Sequence, residues 1–361
     1  MRILVLTKRQ YMKKDLLDDH FGRFREIPLE LAKMGHRVTG LCLSYRPKME
    51  GWVSDGPIRW KSINAGLLKF IGLKRFIYEA LRLAADADII WACSDSFYGV
   101  IAHRLSISYR TPFIFDLYDN FENYLAARLP VIRSLYRTAV RNCAAVTCVS
   151  HPLAGLVASY GRRRNVFVLQ NAVRKDLFVP LDRNECRREL GLPENCLLVG
   201  TAGALNKNRG VDKLFPAFAR LKASHPDLHL AVAGPRDIPI PQDPHIHDLG
   251  KLPLEKVPTF MNSLDIAVIC VKDDGFGRYC HPQKVGEIMA CNVPLVAAGI
   301  GSLKILFGDH PQWLFDPQSS NSIADSVSRR LLDTSTAYPP VPSWKSLAEQ
   351  LESIMIDFKR N

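Results

Sequence analysis

Short apolar runs alternate with longer stretches of helical period along the whole chain. Apolar runs of strand length, bounded by turn residues and separated by amphipathic helices, predict parallel sheets covered by helices. In the first half the pattern predicts strands at 2–6, 37–43, 88–91, 112–117, 144–149 and 166–169, with helices at 22–34 and 129–142. The Gly35-His36 pair supplies a helix C-cap before the second strand. The same grammar restarts with strands at 197–202, 228–233, 266–270 and 295–297. Helices fit between them at 211–223, 254–262, 282–291 and 320–332.

Two Rossmann-like domains in series follow, which for 361 residues also matches the size at which a single core stops growing. Val179-Pro180 interrupts the pattern and sets the predicted boundary, giving domains at 1–178 and 179–342. A Pro-rich stretch ends the second domain, and 343–361 reads as a final amphipathic helix. No apolar run reaches the length of a membrane span, and 2–6 reads as a buried strand rather than as a secretory signal. Nine cysteines without CxxC or His/Cys metal spacing point to structural thiols in a reducing cytoplasm.

Charge changes the picture by its placement. Of the 48 Lys and Arg and 36 Asp and Glu, residues 1–178 hold 28 and 15, so the whole excess of +12 sits in the first half. That half is expected to meet something anionic, either nucleic acid or an anionic membrane leaflet. Three stretches carry the basic residues beside apolar ones. They are Arg133, Arg137 and Arg141 on one helix face, Lys69, Lys74 and Arg75 within 67–77, and Arg162-Arg163-Arg164. Such stretches suit peripheral binding to anionic lipid, the alternative being an ordinary solvated face.

The strongest chemical signal is the block His281-Pro-Gln-Lys-Val-Gly-Glu-Ile-Met-Ala-Cys-Asn-Val-Pro-Leu-Val-Ala-Ala-Gly299. It follows a strand and holds a helix starting near Pro282, so that helix's N-terminus is predicted to lie at the carboxyl ends of the sheet. Free N–H groups and the helix dipole favour a diphosphate there, while Glu287 is placed to accept hydrogen bonds from a ribose diol.

This block resembles the retaining glycosyltransferases of family 4, which carry Pro-x-Lys-x-x-Glu-x-Met-Ala followed by Pro-Leu-Val. The segments Thr201-Ala-Gly-Ala-Leu-Asn-Lys-Asn-Arg-Gly210, Leu228-His-Leu-Ala-Val-Ala-Gly-Pro235 and Leu249-Gly-Lys-Leu-Pro-Leu-Glu-Lys-Val-Pro258 are similar to the family's glycine turn, next strand and nucleobase segment. Val168-Leu-Gln-Asn-Ala-Val-Arg-Lys-Asp-Leu-Phe178 resembles the stretch that closes the acceptor domain. The resemblance implies a GT-B fold, two Rossmann-like domains facing across a cleft with the C-terminal helix crossing back to the first. Glu287 then looks like the second glutamate of the Glu-x7-Glu pair, and Arg209 takes the place of the lysine that clamps the donor diphosphate. Gly203, Lys207, Lys284, His281, Pro282 and Lys251 complete the implied donor site, with Gly22 standing where the family has a glycine-rich turn against the donor phosphates.

Three departures stand out. Tyr279 occupies the place of the first glutamate, and Asp274-Gly-Phe-Gly277 imitates the sequence that normally begins with it. The arginine that accompanies the lysine falls on Ala204, leaving Lys207 or Lys284 as substitutes. Tyr118 stands where many members present a histidine, with Asp119 as the acid expected nearest the acceptor hydroxyl and Asp116 as its rival. Asp119 also reads as a plain helix N-cap, and His103 as structural.

The resemblance implies metal-independent transfer of a hexose-type residue, with retention, from a nucleoside diphosphate sugar to a glycan or lipid-linked acceptor. It further implies bacterial envelope polysaccharide or lipopolysaccharide synthesis, in the cytoplasm and peripheral on the membrane. No cofactor and no nucleic acid is expected. A dinucleotide oxidoreductase lacks its Gly-x-Gly-x-x-Gly here. A nucleic-acid binder lacks a reading motif, and a nucleotide-sugar epimerase remains the alternative on the same fold.

Overall fold

The computed structural model describes residues 1–11, 14–66, 70–124 and 126–359, so Lys69 of the second basic stretch lies outside them. The chain divides into a first unit, Met1–Gln170 plus the segment beginning at Trp344, and a second, Asn171–Ser343.

In chain order the first unit contains β1 (Arg2–Lys8), the ribbon strands β2 (Gln10–Tyr11) and β3 (Lys14–Asp15), and α1 (Arg23–Lys33). Then come β4 (Arg37–Ser44), β5 (Gly51–Asp55), β6 (Ile58–Asn64), α2 (Phe70–Ala84), β7 (Ile89–Cys93) and α3 (Ser96–Tyr109). It continues with β8 (Phe113–Leu117), α4 (Pro130–Asn142), β9 (Ala145–Cys148), α5 (His151–Ser159) and β10 (Val166–Val168). The second unit opens with α6 (Arg183–Leu190), β11 (Leu197–Ala202), α7 (Leu214–Ser224), β12 (Leu228–Ala233), β13 (Ile246–Asp248) and α8 (Val257–Asn262). It closes with β14 (Ile266–Ile269), α9 (Gln283–Ala290), β15 (Leu295–Ala298), α10 (Gly301–Leu306), β16 (Leu314–Phe315) and α11 (Ser320–Leu332). The final helix α12 (Trp344–Phe358) belongs to the first unit.

The first sheet has the order β10-β9-β8-β7-β1-β4-β6-β5, parallel except for β5, which runs antiparallel on β6. Its strand order reverses between β1 and β7. The second sheet, β13-β12-β11-β14-β15-β16, is parallel throughout and reverses between β11 and β14. In open α/β sheets a ligand crevice forms at the carboxyl ends of the strands beside such a reversal. The central strands are buried on both faces, which is why they read as unbroken apolar runs.

Every predicted strand is present, and the sequence reading missed β5, β6, the β2–β3 ribbon, β13 and β16. In β6 the apolar Ile58 and Trp60 are buried while Arg59 between them is exposed, a half-buried alternation that a search for continuous apolar runs passes over. β13 reads Ile-His-Asp and has no apolar run at all.

The units part after Gln170, earlier than the predicted boundary after Phe178. The intervening residues are tied into the second unit: Asn171 Nδ2 donates to His281 O at 2.8 Å, and Val173 N donates to Pro342 O at 3.1 Å. Phe178 is buried in the second core. Helix α12 packs along α1 with Leu347, Leu351 and Met355 buried, and His36 Nε2 lies 2.7 Å from Glu352 Oε1. No helix among the described residues is long and apolar enough to cross a membrane.

Candidate functional site

In the second unit, the turn after β11 and helix α9 meet at the strand reversal. Gly203 has φ 111°, and Gly203 N donates to Ala233 O at 2.9 Å. The turn after β12 lies so close that a Cβ on Gly234 would come within 1.9 Å of Gly203 O. Two backbones touch where side chains would otherwise fill the crevice mouth. Lys284 Nζ donates to Ala202 O at 3.2 Å and so fastens the first turn of α9 to the end of β11. No side chain among the described residues caps α9; Val285 N donates to Pro282 O at 3.2 Å, and the Gln283 and Lys284 N–H groups ahead of it keep their capacity for an acceptor.

Glu287, one turn into α9, is buried and accepts from Gln283 Nε2 at 3.0 Å. Burial pushes its carboxyl up to about 7, against the pull of the Gln283 hydrogen bond and the Lys284 charge. The Lys284 ammonium is itself lowered, mainly by burial, with Arg209 repelling it and Glu287 attracting it. The Arg209 guanidinium lies 4.1 Å from the centroid of the Phe276 ring. Phe276 is held in turn by Asp274, whose Oδ1 accepts from Phe276 N and Gly277 N, each at 2.9 Å.

The structure thus brings Arg209, Lys284, Glu287, Gly203, His281 and Pro282 to one edge. It does not bring Lys207 or Lys251 into contact with them; both side chains stand in solvent. Of the two stand-ins for the arginine that falls on Ala204, Lys284 is the one at the site. Asp274, a candidate substitute for the first glutamate, already spends one carboxylate oxygen on its own turn, and Tyr279 is half-buried. Sequence reasoning missed Thr201 and Asn206. Their Thr201 Oγ1 and Asn206 Oδ1 are buried polar atoms that find no hydrogen-bond partner among the described residues.

In the first unit, Asp116 and Asp119 are both buried and differ in their partners. Asp116 is sealed in the sheet: Arg23 Nε and Nη2 reach its two oxygens at 3.0 and 2.7 Å, and Thr147 Oγ1 donates to it at 2.6 Å. A carboxylate so enclosed meets no acceptor, which corrects its candidacy as the reacting acid. Asp119 lies beyond the end of β8 and accepts from Tyr124 Oη at 3.0 Å, inside a cluster that includes Tyr118 and Lys8. Gly22, at φ 94°, starts α1 and would put a Cβ 3.3 Å from the Tyr11 ring, which packs edge-on against Tyr118 at 4.9 Å. His103 packs against Phe113 with its pKa lowered by burial, a structural placement. No group of three or more metal-ligating side chains occurs among the described residues.

Comparison with known proteins bears on what these edges do. The family model described as Glycosyl transferases group 1 matches residues 182–339, and that described as Glycosyltransferase Family 4 matches residues 24–177. TuaC of Bacillus subtilis (strain 168), named as a glycosyltransferase of teichuronic acid biosynthesis, is 25% identical over 90% of this chain and 76% of its own. The D-inositol 3-phosphate glycosyltransferase of Corynebacterium aurimucosum is 26% identical over 91% of this chain and 88% of its own. Two solved structures share the fold. Sucrose-phosphate synthase from Thermosynechococcus elongatus has a TM-score of 0.73 at 16% identity, covering 100% of this chain and 95% of that one. Anabaena HepE in complex with UDP has a TM-score of 0.71 at 18% identity, covering 99% and 96%. With one glycosyltransferase model on each unit and glycosyltransferase relatives along nearly its full length, the chain belongs to the family 4-like glycosyltransferases of the GT-B class.

Proposed function

We propose that the chain transfers a hexose-type residue, with retention and without a metal, from a nucleoside diphosphate sugar to a glycan or lipid-linked acceptor in bacterial cell-envelope polysaccharide synthesis. One observation carries the donor assignment: Arg209, Lys284 and Glu287 converge on the uncapped start of α9 at the reversal of the second sheet. Cations and helix N–H groups there suit the charge that grows on a departing diphosphate, and a carboxylate one turn in suits a ribose diol. The likeness to HepE, whose structures hold UDP and UDP-glucose, supports the same donor class, and the likeness to TuaC supports the envelope setting. Asp119 is the acid assigned to the acceptor hydroxyl.

A peripheral position on an anionic leaflet is part of the same reading. Along one stripe, α2 exposes Ile71, Lys74, Arg75, Tyr78 and Arg82, mixing cations with residues that favour an interface. On this stripe Arg75 pairs with Glu50 and Arg82 with Glu79, and the other two basic stretches are likewise partly spent on protein partners. Arg137 pairs with Glu122 and stacks on Tyr160, and Arg162 caps α4 through the carbonyls of Arg141 and Ala144.

The experiment is thermal stabilisation by UDP, GDP, dTDP and ADP and their sugars in EDTA, for the wild type and Glu287→Ala. One nucleotide is expected to raise the wild-type midpoint and not the variant's. No shift with any nucleotide would overturn the donor assignment.

A further inference from the structure

The carboxyl ends of β1, β7 and β8 meet where the first sheet reverses, and they converge on Lys8, the last residue of β1. Lys8 Nζ donates to Tyr118 Oη at 3.1 Å and lies 5.5 and 5.4 Å from the ring centroids of Tyr118 and Tyr124. The two tyrosine hydroxyls are 2.7 Å apart, and Tyr124 Oη passes a hydrogen bond to Asp119 Oδ2. The backbone below is fixed, since Lys8 N donates to Ser94 Oγ at 2.9 Å and Ser94 holds a left-handed φ of 78° in the turn after β7.

An ammonium carries three N–H donors, and Lys8 gives one to Tyr118. No other described residue takes the remaining two. The side chain is half-buried, as are Tyr118, Tyr124 and Asp95, so these four reach the surface while Asp119 is buried beneath them. Two carboxylates, Asp95 and Asp119, act on this one ammonium. Neighbouring cations add little: Arg9 is spent on Asp15 and Asp18, and Lys14 faces Asp19. The local balance is therefore one positive against two negative charges, hostile to a phosphate or carboxylate. Donors and acceptors that alternate over aromatic faces match the hydroxyls of a neutral sugar or cyclitol instead.

We propose that this cluster is an acceptor subsite for neutral polyol hydroxyls, with Lys8 as a specificity-determining residue that donates to one hydroxyl oxygen while the half-buried Asp95 carboxylate accepts from a neighbouring hydroxyl. The subsite disfavours acceptors phosphorylated at the hydroxyls it holds. The inference rests on the assignment of the first unit to the acceptor.

The test is a footprint of the full chain without nucleotide, following reductive methylation of Lys8 by peptide mass spectrometry. The probes are methyl glucoside and myo-inositol, set against glucose 1-phosphate, inositol 1-phosphate and inorganic phosphate at matched ionic strength. The neutral polyols are expected to slow Lys8 modification several-fold, the phosphorylated compounds to leave it unchanged, and the exposed Lys345 to serve as internal control. Protection by the phosphorylated compounds equal to that by the polyols, or protection by neither, overturns the proposal. Lys8→Met, which keeps the stem, is then expected to raise the KM of a neutral acceptor roughly tenfold or more while the nucleotide-induced midpoint shift survives. Loss of that shift in Lys8→Met would mark the residue as merely structural and overturn the proposal as well. Failure of every nucleotide to stabilise the wild type would instead sink the glycosyl-transfer reading, and the footprint does not depend on it.

Discussion

The second unit draws its candidate chemistry from two short stretches, 201–209 and 281–287, each rooted in a single turn beside the sheet reversal. The first unit assembles its cluster from Lys8, Gly22, Asp95 and residues 118–124, which the end of β1 and the connections after β1, β7 and β8 deliver. A helix start carries its own N–H groups and dipole, so the second site comes largely ready-made from local structure. The first has no such device and depends on how β8 is seated against α1. That seat is the buried Arg23–Asp116 pair with Thr147, and Arg23 Nη1 also donates to Leu169 O at 3.0 Å.

The largest effect should therefore come from Asp116→Ala, which strands the Arg23 guanidinium in the core. We expect a loss of about 3–5 kcal/mol in urea unfolding, the range for breaking one half of a buried pair. A variant that kept its stability and lost only transfer would return Asp116 to the reacting groups and erase the contrast between the units.

Glu287 supplies the next test. Its carboxyl ionises at about 7 rather than near 4.5 because burial disfavours the charge. The folded chain holds the proton more tightly than the unfolded chain, so this group's contribution to stability is complete below pH 4.5 and is lost as pH rises through 7. Glu287→Gln should match the wild type near pH 4.5 and exceed it at pH 8.5 by up to roughly 3 kcal/mol. Nucleotide binding should show the opposite trend in the wild type, strengthening from pH 6 to 8 as the carboxylate forms, and should be flat with pH in the variant. Parallel pH dependence in the two proteins would remove Glu287 from the ribose site.

These expectations also show what the sequence could reveal. The 281–299 block was legible because strand, helix start and carboxylate follow one another in the chain, and the structure brings Arg209, Lys284 and Glu287 to one edge. Asp116 and Asp119 were not separable by sequence. They lie three residues apart, and only the register of β8 between β7 and β9, which sets Asp116 opposite Cys93 and Thr147, locks one onto Arg23 inside the sheet and leaves the other, also buried, past the end of the strand. Lys8 left a faint signal, a cation closing the apolar run of β1. Its partners stand more than 80 residues away, a separation no local pattern carries. Lys207 and Lys251 were named from their place in a matched segment, but nothing in a segment match fixes the direction of a surface lysine.

A smaller effect is expected from Arg209. Arg209→Ala should weaken nucleotide diphosphate binding by about 1.5–3 kcal/mol, the worth of a charge-assisted contact. Phe276→Leu, which removes the ring under the guanidinium, should give a fraction of that, about 0.5–1 kcal/mol. Titration calorimetry with the diphosphate and the monophosphate separates the two readings of the arginine. If both variants lose affinity for the diphosphate and keep it for the monophosphate, Arg209 holds the outer phosphate. An unchanged diphosphate affinity in Arg209→Ala would leave Lys284 and the start of α9 as the donor clamp.

Two glycines sharpen the comparison at the smallest scale. Gly22 and Gly203 both sit at positive φ, 94° and 111°, so alanine at either should cost about 1–2 kcal/mol of stability. Their surroundings differ. A Cβ at Gly22 presses on Tyr11 at 3.3 Å, and Tyr11 leans on Tyr118, so the displacement passes into the Lys8 cluster. A Cβ at Gly203 meets nothing within 4 Å and would project into open space at the crevice mouth. Gly22→Ala should then raise acceptor KM and leave nucleotide affinity alone, against the donor-phosphate role that the family resemblance implies for Gly22, while Gly203→Ala should weaken the nucleotide and leave acceptor KM alone. Equal effects of both variants on both ligands would mean that strain in either unit spreads through the whole molecule, and that the two edges cannot be assigned to donor and acceptor separately.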